Sequence, residues 1–159
     1  MWKKWTKKKS NQQHIPNSYN NDNIIEVDLD TIKAAVRKFA ENAPPGVTTK
    51  VLVKDDHSID FNLLKPFLNG IPNKTFYMSK ETYEVFEEKD KAIPLYIDKV
   101  QQAVDRYVDM YKKLPTIPDD PYQKVSYLML ENNSLLTERP PIDFYITNEE
   151  YLVTYKRPK

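Results

Sequence analysis

No cysteine occurs in this 159-residue chain, which removes disulfides, thiolate nucleophiles, zinc fingers and iron–sulfur clusters together. Glycine is almost as scarce. Only Gly46 and Gly70 are present, in the turn-like contexts Pro44-Pro45-Gly46 and Asn69-Gly70-Ile71-Pro72. Loops that wrap phosphates need several glycines, because the backbone must reach positive φ and approach the ligand closely, so a P-loop or dinucleotide fingerprint is excluded as a motif. With two histidines in all and no serine in a Gly-flanked nucleophile elbow, a serine triad has little to work with. No apolar run approaches the ~20 residues that cross a bilayer. Residues 1–23 also lack the apolar stretch of a secretory signal, which leaves a cytoplasmic protein without a transmembrane segment as the expectation.

Charge is present in nearly equal amounts of both signs but is unevenly placed. Trp2, Lys3, Lys4, Trp5, Lys7, Lys8 and Lys9 crowd into the first nine positions, and no acidic residue precedes Asp22. That leader carries five of the 24 basic residues, so the remainder holds 19 basic against 23 acidic groups, a net −4. Residues 1–22 have little to pack and read as a flexible basic arm. Near an anionic bilayer each lysine contributes about 1 kcal/mol and tryptophan favours the headgroup level, so the arm suits weak peripheral attachment to a membrane. The same residues could neutralise phosphates of single-stranded nucleic acid while tryptophan stacks on bases. A lysine-rich start also serves solubility alone. The acidic body argues against an extensive nucleic-acid groove.

Residues 23–159 have the composition of one soluble domain, since the whole chain is 40% hydrophobic and 30% charged. The pattern predicts α+β architecture: short strands interleaved with helices, one long amphipathic helix on a sheet, and a C-terminal antiparallel meander. Asp28 or Asp30 offers an N-cap to a helix bearing Ile32, Ala35, Val36 and Phe39, which stops at Pro44-Pro45. Residues 47–53 are β-branched and read as a strand whose core face is Val47, Thr49, Val51 and Val53. Asp60 caps a short helix that Pro66 splits. Ser79 caps a further helix, expected over residues 79–89. The strongest signal follows: Ile93, Ile97, Val100, Val104, Tyr107 and Tyr111 keep one stripe apolar through a helix over 93–113. Residues 124–130, 142–147 and 151–156 read as the strands of the meander. Phe39, Phe67, Phe76, Phe86, Tyr127, Phe144 and Val153 join the long helix in the expected core.

One constellation resembles a reactive centre: Asp55, Asp56 and His57, with Asp60 three residues on. Carboxylates beside an imidazole can bind a divalent cation or pair as base and orienter, which would suit a metal-dependent hydrolase or nuclease. Aspartates between a strand and a helix are equally the chemistry of turns and N-caps, and adjacent residues on an extended chain point to opposite sides. The structural role is the expectation here, with no metal ligand, cofactor or catalytic residue assigned. His14 lies in the arm. Glu87-Glu88-Lys89 echoes a nuclease motif but falls at the end of an expected helix, where exposed charge is ordinary.

The stretches "KTFYMSKETYEVFEEKDK" (residues 74–91) and "YLMLENNSLLTERPPIDFYITNEEYLVTYKRP" (residues 127–158) together resemble a group of short uncharacterised proteins of spore-forming Gram-positive bacteria of the Bacillus type. The resemblance implies a bacterial protein and brings no activity, cofactor or site with it. The residues themselves point to a non-enzymatic cytosolic binding or accessory protein. Its eleven tyrosines would form part of a protein-binding surface, and its arm would supply long-range attraction.

Overall fold

The computed structural model describes residues 23–159, so the basic arm, with Trp2, Trp5, its lysines and His14, lies outside the described residues. Helix α1 (Leu29–Asn42) begins where expected: the Asp28 carboxylate accepts from the Thr31 amide at 2.8 Å and from the Thr31 hydroxyl at 2.7 Å. This satisfies one of the amides that a helix start leaves without a partner. The helix buries Ile32, Ala35 and Val36 and ends at Ala43, whose extended backbone leads into Pro44-Pro45.

The strand expected over 47–53 does not form. Thr49–Leu52 is a 3-10 turn, Leu52 is its buried residue, and Val51 is 48% exposed. The face expected to be core is thus the wrong one. β-branched residues favour a pleated, half-buried surface, but that preference needs a neighbouring strand. Among these residues only Val53 finds one, in a single bridge to Ile59. Asp60 then caps α2 (Phe61–Leu64) by accepting from the Asn62 amide at 3.0 Å. Pro66 hands the chain over to a 3-10 turn at Lys65–Phe67, because proline has no N–H for the α-helical ladder.

Strand β1 (Ile24–Ile25) pairs in parallel with β2 (Ile71–Pro72). Gly70 makes this possible: its φ is +155°, and a Cβ there would sit 2.6 Å from the Asn23 carbonyl oxygen and 2.8 Å from Ile25 Cγ2.

Strands β3 (Phe76–Met78) and β4 (Val85–Glu87) form the hairpin at the centre of the domain, with Tyr77 opposite Phe86 and Met78 opposite Val85. Side chains alternate across a strand. One face therefore sends Phe76, Met78 and Val85 into a core with Ile32, Leu52, Ile59 and Leu64. The other sends Tyr77 and Phe86 into a second core with the long helix and the C-terminal strands. This hairpin replaces the helix expected over 79–89. Ser79 does cap a turn, but Tyr83 takes a left-handed conformation at φ 62° and the Ser79 amide closes onto the Glu84 carbonyl at 3.0 Å. Reversing the chain there lets Val85 and Phe86 pair with the strand before them.

Helix α3 (Ile93–Tyr111) buries Ile97, Val100, Ala103 and Val104, as its stripe requires, whereas Tyr111 at its end is exposed. Lys112 stops it in a left-handed conformation, φ 55°. Beyond it the expected strand over 124–130 is mostly helix. Ser126 caps α4 (Tyr127–Asn132), accepting from the Met129 amide at 3.2 Å. Only the start of that segment is extended, and it joins a loose antiparallel meander. Ile117 donates to Lys124, Val125 to Phe144 and Ile146 to Gln123, at 2.9, 2.8 and 3.0 Å. The one regular pair there is β5 (Tyr145–Ile146) with β6 (Val153–Thr154), and it does not close into a larger sheet. Gln101 of α3 clamps β6, accepting from the Val153 amide at 2.8 Å and donating to the Tyr151 carbonyl at 3.2 Å. The described residues thus form one mixed α+β domain in which the long helix covers short strands.

Candidate functional site

Asp55, Asp56, His57 and Asp60, the alternative reactive constellation, go to separate places, and turn and cap roles account for Asp56 and Asp60. Asp55 is exposed. Asp56 folds back on its own turn, accepting from the Ser58 amide at 2.9 Å and hydroxyl at 2.5 Å, and these bonds hold its carboxyl below the usual range. Asp60 is occupied as the cap of α2. His57 adopts φ 70° and turns inward, placing Nε2 at 2.7 Å from Asp98 Oδ2. Among the described residues no group of three or more His, Cys, Asp or Glu could hold a metal ion.

Asp98 is the polar centre of the molecule. It is 5% exposed and sits on the buried side of α3. Besides His57, its carboxylate accepts from the Ser79 hydroxyl at 2.6 Å and from the amides of Lys80 and Glu81 at 2.9 and 3.1 Å. Ser79 Oγ in turn accepts from the Glu81 and Thr82 amides at 3.1 and 2.9 Å. A serine, an aspartate and a histidine therefore meet in the order Ser79–Asp98–His57. A nucleophilic relay needs the imidazole beside the serine, and here the carboxylate stands between them. The arrangement joins the turn at His57, the β3–β4 loop and α3 through one carboxylate. The sequence carried a faint sign of it, since Asp98 and Gln101 lie within or beside the apolar stripe of α3, where an uncommitted polar group would be costly.

Glu87-Glu88-Lys89 does not end an α-helix but runs from β4 into a 3-10 turn at Glu88–Asp90. Glu87 closes β4 and pairs with Lys74 at 3.6 Å, while Glu88 accepts from the Tyr77 hydroxyl and pairs with Lys91, each at 3.1 Å. Both acids have partners on the surface.

The surface that combines tyrosine with exposed apolar side chains lies around α4. On one flank Tyr107 and Tyr111 of α3 pack against each other, ring centres 4.6 Å apart, and direct their hydroxyls at Met129 Sδ and Asn133 Oδ1. On the other flank a groove of about 460 Å³ opens between α4 and the chain at Ile117-Pro118. Leu128 is 58% exposed and Ile117 38% exposed, and both line it together with Met129 and Tyr127. The Tyr127 hydroxyl donates to the Ile142 carbonyl at 2.6 Å, and its pKa is pushed up, first by burial and then by Asp143. Two ion pairs frame the groove and leave its rim electrically balanced. Arg139 binds Glu131 through Nε and Nη2 at 2.9 and 2.7 Å, and Lys124 meets Asp143 at 3.2 Å. The sequence did not single out this groove, because it depends on Leu128 lying on a helix.

No helix among the described residues is long and apolar enough to cross a membrane. Residues 22–155 match the family described as protein of unknown function (DUF3939), and the chain belongs to that family. No curated protein and no solved structure matches it.

Proposed function

We propose that this member of an uncharacterised family is a non-enzymatic binding or accessory protein of the bacterial cytosol, of the Bacillus-type group it resembles. It engages a protein partner through the groove beside α4. Its Lys/Trp arm (Trp2, Lys3, Lys4, Trp5, Lys7, Lys8 and Lys9) adds weak attraction to an anionic membrane face. The observation that carries the reading is Leu128, which stands 58% exposed in a concavity shared with Ile117, Met129 and Tyr127. Single exposed apolar side chains are ordinary, but several converging on one groove favour an interaction site. The rim charges are already paired, so the groove suits a partner with an apolar anchor side chain better than a strongly charged one. The reading is also favoured by what the polar side chains are doing: His57, Asp98 and Ser79 are committed to one another.

The test compares the full chain with its Leu128→Glu variant in affinity capture from the native host, followed by titration of the captured partner as a purified protein. Leu128 is exposed, so the variant keeps the fold. At least tenfold weaker binding by the variant is expected for an anchor contact, and equal affinities reject the groove. Flotation with anionic vesicles, with and without residues 1–9, tests the arm, and equal binding of both forms rejects the tether. Leader-dependent binding of single-stranded DNA that weakens steeply with salt would favour the nucleic-acid alternative instead. Saturable binding of manganese or zinc, lost on replacing Asp55, Asp56, His57 and Asp60, would replace the whole reading with metal-dependent hydrolysis.

A further inference from the structure

A second concavity, of about 330 Å³, lies on the opposite core between α1 and the β3–β4 loop, and its chemistry differs from that of the groove beside α4. Val36 and Ala40, one turn apart on α1, form one apolar wall, and Val85 forms the other. Three charged residues border it: Lys33 and Arg37 from α1, and Glu84 from the loop. Among the described residues none of these three side chains makes a hydrogen bond or close ion pair. Glu84 is the notable member. Its side chain is half-buried, and this burial pushes its pKa above the usual glutamate value, which Lys156 and Lys33 only partly offset. Tyr83, beside it, takes the left-handed conformation of the turn, φ 62°. Its 38% exposed side chain helps to line the same concavity.

We propose that this concavity binds a small apolar zwitterion, a free α-amino acid with a large aromatic or aliphatic side chain. The ammonium group would answer the Glu84 carboxylate, the carboxylate would answer Lys33 and Arg37, and the side chain would lie against Val36, Ala40, Val85 and Tyr83. The charge pattern selects this class. A simple anion would leave Glu84 unanswered and repelled, and a simple cation would meet Lys33 and Arg37. A purely apolar ligand would leave the three charges at its border without a hydrogen-bonded partner, an interaction that a zwitterion supplies. The volume of about 330 Å³ accommodates one such molecule but not a folded partner.

Titration of the ¹⁵N-labelled full chain with L-phenylalanine, L-tryptophan and L-leucine tests the idea, alongside N-acetyl-L-phenylalanine and L-phenylalaninamide as probes lacking one charge each. Saturable shifts confined to the α1 face and the loop at residues 82–85 are expected for the free amino acids. Each capped analogue should bind at least about tenfold more weakly, the loss typical of a hydrogen bond to a charged group. The variant Glu84→Gln should lose most of the discrimination against N-acetylation, and Arg37→Ala most of that against the amide. The comparison of ligands on the unaltered protein stands even if a variant misfolds. No saturable binding of any of the three amino acids at millimolar concentration would overturn the proposal. So would equal affinity for the capped analogues, or shifts that map to the groove beside α4.

Discussion

Replacing Asp98 by alanine removes the acceptor for four hydrogen bonds at once, and the loss can be sized from its surroundings. The amides of Lys80 and Glu81 are part-buried, so water can reach them after a small movement of the loop. The Ser79 hydroxyl and His57 Nε2 are buried and have no such recourse. Each buried group left without a partner costs about 1–3 kcal/mol, and breaking a buried pair by removing one member costs about 3–5 kcal/mol, so a loss of about 3–5 kcal/mol is expected for Asp98→Ala. For a domain of this size that lowers the melting temperature by roughly 10 °C or more. Urea unfolding followed by tyrosine fluorescence, with the slope checked against the unaltered chain, measures the change. A double-mutant cycle with His57→Asn isolates the pair, asparagine being chosen because it tolerates the left-handed backbone of position 57. If Asp98→Ala stays within about 1 kcal/mol of the parent, the Ser79–Asp98–His57 cluster does not hold the turn, the loop and α3 together and that reading of it is wrong.

Val100 and Val104 are fully buried on α3, so replacing both by aspartate places two unpaired charges in the core and should unfold the domain; a soluble double variant with unchanged melting by circular dichroism would show that the helix packs elsewhere. Gly70→Ala drives a methyl group into the Asn23 carbonyl and Ile25, and it should release β1, seen as faster amide exchange at Ile71 and Asn73 and a loss of about 1–3 kcal/mol. Glu84 has a raised folded-state pKa, so its contribution is complete below the unfolded value of 4.5 and is lost as pH rises through the folded value. Thermal melts of Glu84→Gln should accordingly show a variant at least as stable as the parent at pH 7, with the difference vanishing in acid; a variant clearly less stable at pH 7 would contradict this.

Where an element is specified by its own residues, the sequence was legible. The period of Ile93, Ile97, Val100 and Val104 places α3 within two residues of its observed end, because a broad apolar stripe is stabilised by covering a core. Asp28 and Asp60 cap the helices expected of them, and Pro66 interrupts the second as it must. The segments that fold otherwise depend on distant partners. Residues 47–53 and 124–130 have β-prone side chains, but whether such residues form a strand depends on a partner strand elsewhere in the chain. Residues 79–89 have a good helix cap, yet Val85 and Phe86 gain more by pairing with Tyr77 and Met78 across the hairpin. At 55–60 the composition does not reveal that His57 turns inward while Asp55 and Asp56 stay outside.

The sequence by itself determined the class of the fold, the long helix, the caps of α1 and α2, and the chemistries ruled out by missing cysteine and glycine, since each of these rests on local residue types and short spacings. Only the tertiary structure decided that Asp98 gathers Ser79 and His57 from segments 19 and 41 residues away. It alone decided that a helix at Tyr127–Asn132 presents Leu128 to a groove. It also brings the charges of α1 and Glu84 to the border of one concavity. Those juxtapositions depend on which surfaces the two cores bring together, and burial of apolar area, which drives that assembly, carries no record in any single stretch of chain.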